Sequence, residues 1–257
     1  MNHTSGTLLG LALLVALAGC GSGTGTTAPK TSAPPAPSNP SPTPTIHDMQ
    51  DFVEREAIAP IEPGTYSIDP DLDPSTPLRV LYEVPEGWSS WIGAAEFYEG
   101  GHVGVSITTV TNLVTHGCTD HSWQDPPVGP SVGDLAAGLA DLAPFRVTSP
   151  PKEVTIYGYS GKHLKLTVPD LPVEEVGDDR RFTECEEGNL KSWVAAVDTE
   201  EGDAFYGYNA EPSRTEEFWI LDIEGTRLMI EANWSPASPR KDVAEMRAIL
   251  DSIRIEP

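Results

Sequence analysis

Hydrophobic and polar positions alternate with a period of two along much of this chain, and that spacing predicts β-strands. The alternating runs are rich in β-branched and aromatic residues and span 78–84, 103–110, 154–157 and 163–168. The clearest hairpin joins 217–223 to 227–232, with Gly225 at the turn, where a residue that tolerates positive φ is needed. Hairpins place neighbouring strands antiparallel, so a mostly antiparallel sheet is predicted.

Two segments have the three-to-four-residue spacing of an amphipathic helix instead. The first begins at a capping box formed by Ser131 and Asp134, and its apolar face comprises Leu135, Leu139 and Leu142. The second begins at Ser238-Pro239, with Ser238 as the predicted N-cap, and its apolar stripe comprises Val243, Met246, Leu250 and Ile253. A short third helix within 48–58 is left open. Two or three helices on a mostly antiparallel sheet define an α+β domain.

The beginning of the chain has a different pattern. An apolar run from Leu8 to Ala18 ends in Leu17-Ala18-Gly19-Cys20, and it has the form of a secretory signal rather than of a membrane-spanning helix. The junction resembles the lipobox of bacterial lipoproteins. That resemblance implies a signal peptide over 1–19, cleavage before Cys20, and acylation of its thiol (palmitate) and new amino group. The protein is then exported and anchored through Cys20 to the outer face of the cell membrane.

The segment 20–45 that follows is predicted to be a disordered linker. After Cys20 it is almost entirely Gly, Ser, Thr, Ala and Pro, and Lys30 is its only charged residue. Such a segment buries too little apolar surface to offset the entropy lost on ordering. Its prolines favour polyproline II, which makes it a stiff spacer.

The remaining segment, 46–257, has a globular composition and a length suited to one domain. It contains all 39 acidic residues of the chain and every basic residue except Lys30, within an overall net charge of −23. So negative a surface argues against binding nucleic acid or lying flat on anionic lipid.

With Cys20 acylated, Cys118 and Cys185 are an even pair in an oxidising compartment. A disulfide between them is the natural interpretation, with two free thiols as the alternative. The disulfide also removes both sulfurs as nucleophiles, because catalysis requires a thiolate.

The end of the chain carries a second resemblance. A hairpin, a capped helix and the final run 249–255, Ile-Leu-Asp-Ser-Ile-Arg-Ile, resemble the close of PsbP-like α/β/α sandwich domains. The tracts 103–109 and 158–163 are similar to uncharacterised lipoproteins of actinobacteria. Together the resemblance extends over 63–257. It implies binding and assembly roles and brings no catalytic residues.

Two groups of side chains are candidate metal ligands. Asp69, Asp71 and Asp73 alternate in one run and offer carboxylates to Ca²⁺, although the run lacks the glycine and glutamate of a helix-loop-helix calcium loop. The alternative is an acidic surface loop.

His116, Asp120 and His121 lie close together around Cys118, and imidazole and carboxylate groups are zinc ligands. An exported hydrolase or metal-dependent enzyme built on 116–121 is the alternative hypothesis of function. Here the competing interpretation is a disulfide-anchored loop.

Aromatic residues are the candidates for binding. Trp88 and Trp91 stand beside glycine and serines, and Tyr206 and Tyr208 flank Gly207. Exposed, such rings bind a sugar or anchor a protein partner, whereas buried rings belong to the core.

The sequence favours a non-catalytic role. It contains no nucleophile elbow, phosphate loop, dinucleotide fingerprint or His-Glu-x-x-His motif. The leading hypothesis is an acyl anchor, a spacer and a domain that binds a partner protein or small ligand at the cell envelope, without a required cofactor.

We predict that Cys20→Ala releases the protein from membranes, because the acyl chains would be its only attachment. Fractionation of cells into membrane and soluble material measures this. Retention of the variant in the membrane fraction would contradict the anchor.

Overall fold

The computed structural model describes residues 45–52, 58–91, 94–97, 103–177, 179–196, 204–209 and 211–257. The predicted signal peptide, Cys20 and all of the predicted linker except residue 45 lie outside this part. Within it there are two α-helices, α1 (Val132–Asp141) and α2 (Arg240–Ser252). Neither helix is long and apolar enough to span a membrane.

Strands make up most of the described fold. In chain order they are β1 (Ile46–Asp48), β2 (Ala59–Pro60), β3 (Gly64–Ile68), β4 (Arg79–Val84), β5 (Ser89–Trp91), β6 (Ala94–Phe97), β7 (Val103–Thr109), β8 (Asn112–His116), β9 (Asp120–Trp123), β10 (Arg146–Ile156), β11 (Tyr159–Thr167), β12 (Val173–Val176), β13 (Asp179–Phe182), β14 (Leu190–Ala196), β15 (Ala204–Asn209), β16 (Thr215–Ile223), β17 (Thr226–Trp234) and β18 (Arg254–Glu256).

These strands form three main sheets and a ribbon. The central sheet has eight strands in the order β10-β11-β16-β17-β7-β6-β5-β2. Two four-stranded sheets have the orders β1-β3-β4-β18 and β15-β14-β8-β9, and β12 and β13 form the ribbon. Except for the parallel pair β1–β3, neighbouring strands are antiparallel, which confirms the predicted mostly antiparallel sheet.

The middle strands of the central sheet are buried on both faces. Side chains of a strand point alternately to opposite sides, so each of these strands contributes to two cores. Along β16, Trp219 and Leu221 pack into one core with β3, β4 and α2. Phe218 and Ile220 pack into a second core with α1, β8 and β14. The middle strands therefore read as nearly continuous apolar runs.

The two helix starts differ from one another. At α1 the predicted capping box forms, since Ser131 Oγ accepts from the Asp134 amide and the Asp134 carboxylate accepts from the Ser131 amide. At α2 the predicted N-cap is wrong by one residue, because Pro239 occupies that position. Ser238 Oγ instead accepts from the Ser235 amide at 2.9 Å and closes the turn before the helix.

Two further expectations are corrected. The strand predicted at 154–157 is the end of the longer β10, whose Pro150 and Pro151 are tolerated at the sheet edge. Gly161 lies inside β11, where a Cβ would come within 2.0 Å of the Ile220 carbonyl oxygen. Of the segment 48–58, where the sequence leaves a third helix open, the structure describes a 3₁₀ turn, Met49–Phe52, and residues 53–57 lie outside the described part.

Cys118 and Cys185 form a disulfide, as predicted, across 67 residues of sequence. It joins the turn between β8 and β9 to the short 3₁₀ segment Glu186–Gly188 that leads into β14. Two loops distant in sequence are thereby fixed side by side.

Replacing both cysteines by serine should lower the free energy of unfolding by roughly 4 kcal/mol, because the unfolded chain regains the entropy of an open loop. Urea denaturation of the oxidised protein and the double variant measures the difference. Reduced wild-type protein is the control and should match the variant. An unchanged urea midpoint would show that the crosslink adds nothing.

Candidate functional site

The four aromatic candidates from the sequence separate into one core residue and three surface neighbours. Trp88 is only 1% exposed and lies in the core, where its indole Nε1 donates to Glu245 Oε2 at 3.3 Å. Core burial was the alternative that the sequence left open for this residue. Trp91, the other member of the pair, is half-buried at the end of β5.

Trp91, Tyr206 and Tyr208 lie along one continuous surface. Tyr206 and Tyr208 share a side of β15, since they are two residues apart on a strand. Trp91 meets Tyr208 edge to face, with ring centroids 6.1 Å apart and planes inclined at 75°.

Two further residues complete this surface. Trp123, at the end of β9, donates its indole N–H to the Tyr206 hydroxyl at 3.1 Å. Lys191 is the cross-strand partner of Tyr208, and its ammonium lies 4.5 Å from the centroid of the Tyr206 ring. We call these five residues (Trp91, Trp123, Lys191, Tyr206 and Tyr208) the aromatic surface.

The aromatic surface is accessible at both ends, since Tyr208 is 49% and Trp123 44% exposed. Sequence reasoning missed Trp123 and Lys191. The available signal was a tryptophan in a short polar stretch. Its hydrogen bond to Tyr206 joins residues 83 positions apart, on the two edge strands of the sheet β15-β14-β8-β9, so the sequence did not show that they meet.

The other side of β15 faces the protein interior. Gly207 lies against Trp193, and a Cβ there would come within 2.4 Å of the indole Nε1. That indole donates to Glu231 Oε2 at 2.7 Å, and Asn209 donates to Glu216 Oε1 at 3.0 Å. The strand that bears the two tyrosines therefore supplies one donor, Asn209, to the buried Glu216, and it packs through Gly207 against Trp193 of β14, the donor to Glu231.

Glu216 and Glu231, the buried acid pair, lie on neighbouring strands and are 2% and 5% exposed. Burial, and then the charge of Glu231, raise the pKa of Glu216 to about 8. Burial also raises the pKa of Glu231, against hydrogen bonds from Trp193 and Asn233. Such a pair holds a proton at neutral pH, because two adjacent buried carboxylates resist double ionisation.

Glu217, the next residue, faces the opposite side of the sheet, and its pKa is shifted in the opposite direction. Its carboxylate accepts from His163 at 2.7 Å and lies 3.0 Å from the Lys165 ammonium. Burial alone would raise its pKa, but hydrogen bonds from His163, Arg247 and Lys165 hold the pKa below its usual value. This ionised group serves to fix α2 to the central sheet.

The three aspartates predicted as calcium ligands have partners of their own. Asp69 is buried and lies 3.2 Å from Arg79 Nη1; burial, and then Asp71, raise its pKa to about 6. Asp71 accepts from Thr76 Oγ1 at 3.0 Å, and Asp73 accepts from the Ser75 amide at 2.9 Å. These contacts favour the acidic surface loop.

The histidines predicted as zinc ligands face different partners. His116 Nδ1 accepts from the backbone amides of Cys118 and Thr119, each at 3.1 Å. Asp120 accepts from the Ser122 amide at 3.1 Å, and His121 Nε2 lies 3.0 Å from the Gly117 carbonyl. No preformed metal-binding group of three or more His, Cys, Asp and Glu side chains is found among the described residues.

Comparison with known proteins gave no match to a family model, to a curated protein or to a solved structure. The resemblances to lipoproteins and to PsbP-like domains therefore stay predictions from the sequence.

The buried acid pair predicts a stability that falls with rising pH. Folding raises the pKa of Glu216 from 4.5 to about 8. The contribution of Glu216 to the free energy of unfolding is therefore fully present below pH 4.5 and is lost as pH rises through 8. Glu216 alone should lower the free energy of unfolding by at most about 1.4 kcal/mol per pH unit in this window. Denaturant unfolding between pH 5.5 and 9 measures the slope.

Glu216→Gln should flatten that slope, since the amide does not ionise. Glu153→Gln, at a glutamate whose side chain is 80% exposed, is the matched control and should keep it. Equal slopes in the two variants would contradict the assignment.

Proposed function

We propose that this protein is an exported, lipid-anchored lipoprotein whose domain binds a partner protein at the cell envelope without catalysis. The observation that supports this most directly is the aromatic surface. Tryptophan and tyrosine are enriched among the residues that dominate the binding energy of protein interfaces, because their rings bury a large area.

The aromatic surface is held in place before any partner arrives. Trp123 is fixed by its hydrogen bond to Tyr206, and Lys191 bridges the Tyr206 ring and the Glu187 carboxylate, 2.7 Å from its ammonium. Side chains already fixed lose little further conformational entropy on binding.

The ring geometry favours a protein partner over a sugar. The planes of Trp91 and Tyr208 are inclined at 75°, so they do not offer one flat platform on which a single sugar ring stacks. An uneven aromatic surface suits the varied side chains of a protein.

Charge indicates what kind of protein binds there. The exposed carboxylates of Glu186 and Glu187 lie close to Lys191 and His121, within a chain of net charge −23. A partner that presents apolar side chains with a basic rim complements this surface.

Site-specific photo-crosslinking tests the proposal. A photoreactive phenylalanine analogue at position 208 should capture a partner in cells, whereas the same analogue at Glu83, exposed on the opposite sheet, should not. The captured protein, purified, should bind Tyr208→Ala and Trp123→Ala about tenfold more weakly than wild type, or roughly 1.4 kcal/mol.

Equal affinity of both variants for that partner would contradict the proposal. Capture of envelope polysaccharide at 208, with the same dependence on Trp123, would replace the protein partner with a glycan.

A further inference from the structure

One buried histidine faces two carboxylates beside the disulfide. His121, on β9, is 8% exposed, and its Nε2 lies 3.0 Å from the Gly117 carbonyl oxygen. A carbonyl oxygen only accepts, so Nε2 carries the proton in the neutral ring. The Nδ1 atom is then left with a bare lone pair.

That lone pair is buried and has no hydrogen-bond partner. The atoms it faces are Glu186 Oε2 and Glu187 Oε2, each 4.0 Å away. With Nδ1 unprotonated, all three atoms are electron-pair donors, and no hydrogen bond joins Nδ1 to either carboxylate. Glu186 Oε2 already accepts from the His121 amide at 3.1 Å, and a cation placed among the three atoms would give Nδ1 the partner that it lacks.

We propose that His121, Glu186 and Glu187 bind a divalent cation of the zinc class. Imidazole nitrogen and carboxylate oxygen are both ligands of Zn²⁺, and a site with three protein ligands leaves the fourth position to solvent. The proposal does not depend on the proposed partner protein. It also differs from the predicted set, since His116 and Asp120 are engaged elsewhere.

The distances require a small adjustment on binding. Ligands about 2.1 Å from a tetrahedral zinc lie roughly 3.4 Å from one another, so each carboxylate has to move about 0.6 Å closer to Nδ1. The side chains of Glu186 and Glu187 are 50% and 59% exposed, which leaves them free to move and leaves the ion a path from solvent. The ion therefore completes the site.

The disulfide supports both halves of this site. Cys118 follows Gly117, which orients His121, and Cys185 precedes Glu186. The Glu186 amide also donates to the Cys118 carbonyl at 2.7 Å. The crosslink thus keeps the imidazole and the two carboxylates within reach of one ion.

Lys191 competes with the ion. Its ammonium lies 2.7 Å from Glu187 Oε2, the same oxygen that faces His121. A cation at the site has to displace this interaction or share the carboxylate with it. Removing the ammonium should therefore strengthen metal binding.

Isothermal titration calorimetry of Zn²⁺ into the purified, oxidised full-length chain tests the site. We expect one Zn²⁺ per chain, bound at least tenfold more weakly by His121→Ala and by Glu186→Gln. Lys191→Met should bind Zn²⁺ more tightly than wild type. His47→Ala is the matched control, a histidine stacked on Tyr66 in another sheet, and should leave the affinity unchanged.

The proposal would be overturned if the wild type did not bind Zn²⁺ at concentrations up to 1 mM. A Kd of about 1 mM corresponds to a binding free energy of about −4 kcal/mol. Equal affinities of His121→Ala and wild type would overturn the proposal too, since they would indicate diffuse binding to surface acids. Because His121→Ala removes a buried side chain, Lys191→Met provides a second, independent test. Affinity that is unchanged or lower in Lys191→Met would also overturn it.

Discussion

Burial of the central sheet on both faces is the constraint on which the rest of this structure depends. A strand covered on both sides has no solvent-facing position, so every polar residue along its middle needs partners from the layer above or below. The neighbours Glu216 and Glu217 show both solutions. Glu217 is ionised, because hydrogen bonds from His163, Arg247 and Lys165 hold its pKa below the usual value. Burial, and then the charge of Glu231, raise the pKa of Glu216 to about 8.

The aromatic surface follows from the same constraint. Strand β15 closes the interior over the buried acid pair with Gly207 and Asn209, and the alternation of a strand then sends Tyr206 and Tyr208 outward. Changes in the acid pair and changes in the aromatic surface are thus linked through one strand.

The disulfide organises the adjoining edge. It fixes the turn before β9 against the segment 186–188 that leads into β14. Strand β9 bears Trp123 of the aromatic surface and His121 of the proposed cation site. Strand β14 bears Lys191, and the segment before it bears Glu187. Lys191 contacts both the aromatic surface and the proposed cation site, through the Tyr206 ring and the Glu187 carboxylate, so a bound cation would alter the charge that a partner meets.

The sequence by itself determined the features that local spacing encodes. Alternation predicted the long strands, Gly225 the main hairpin, and the Ser131–Asp134 spacing the first capping box, because each depends on residues a few positions apart. The even number of remaining cysteines, together with the predicted export to an oxidising compartment, predicted the disulfide.

Only the tertiary structure decided which predicted residues meet. The contact of Trp88 with Glu245, that of Trp123 with Tyr206 and the position of His121 opposite Glu186 all join segments far apart in the chain. Such contacts depend on which strands are neighbours, and the period-two pattern of a strand shows which side chains share a face but not which strand lies beside it.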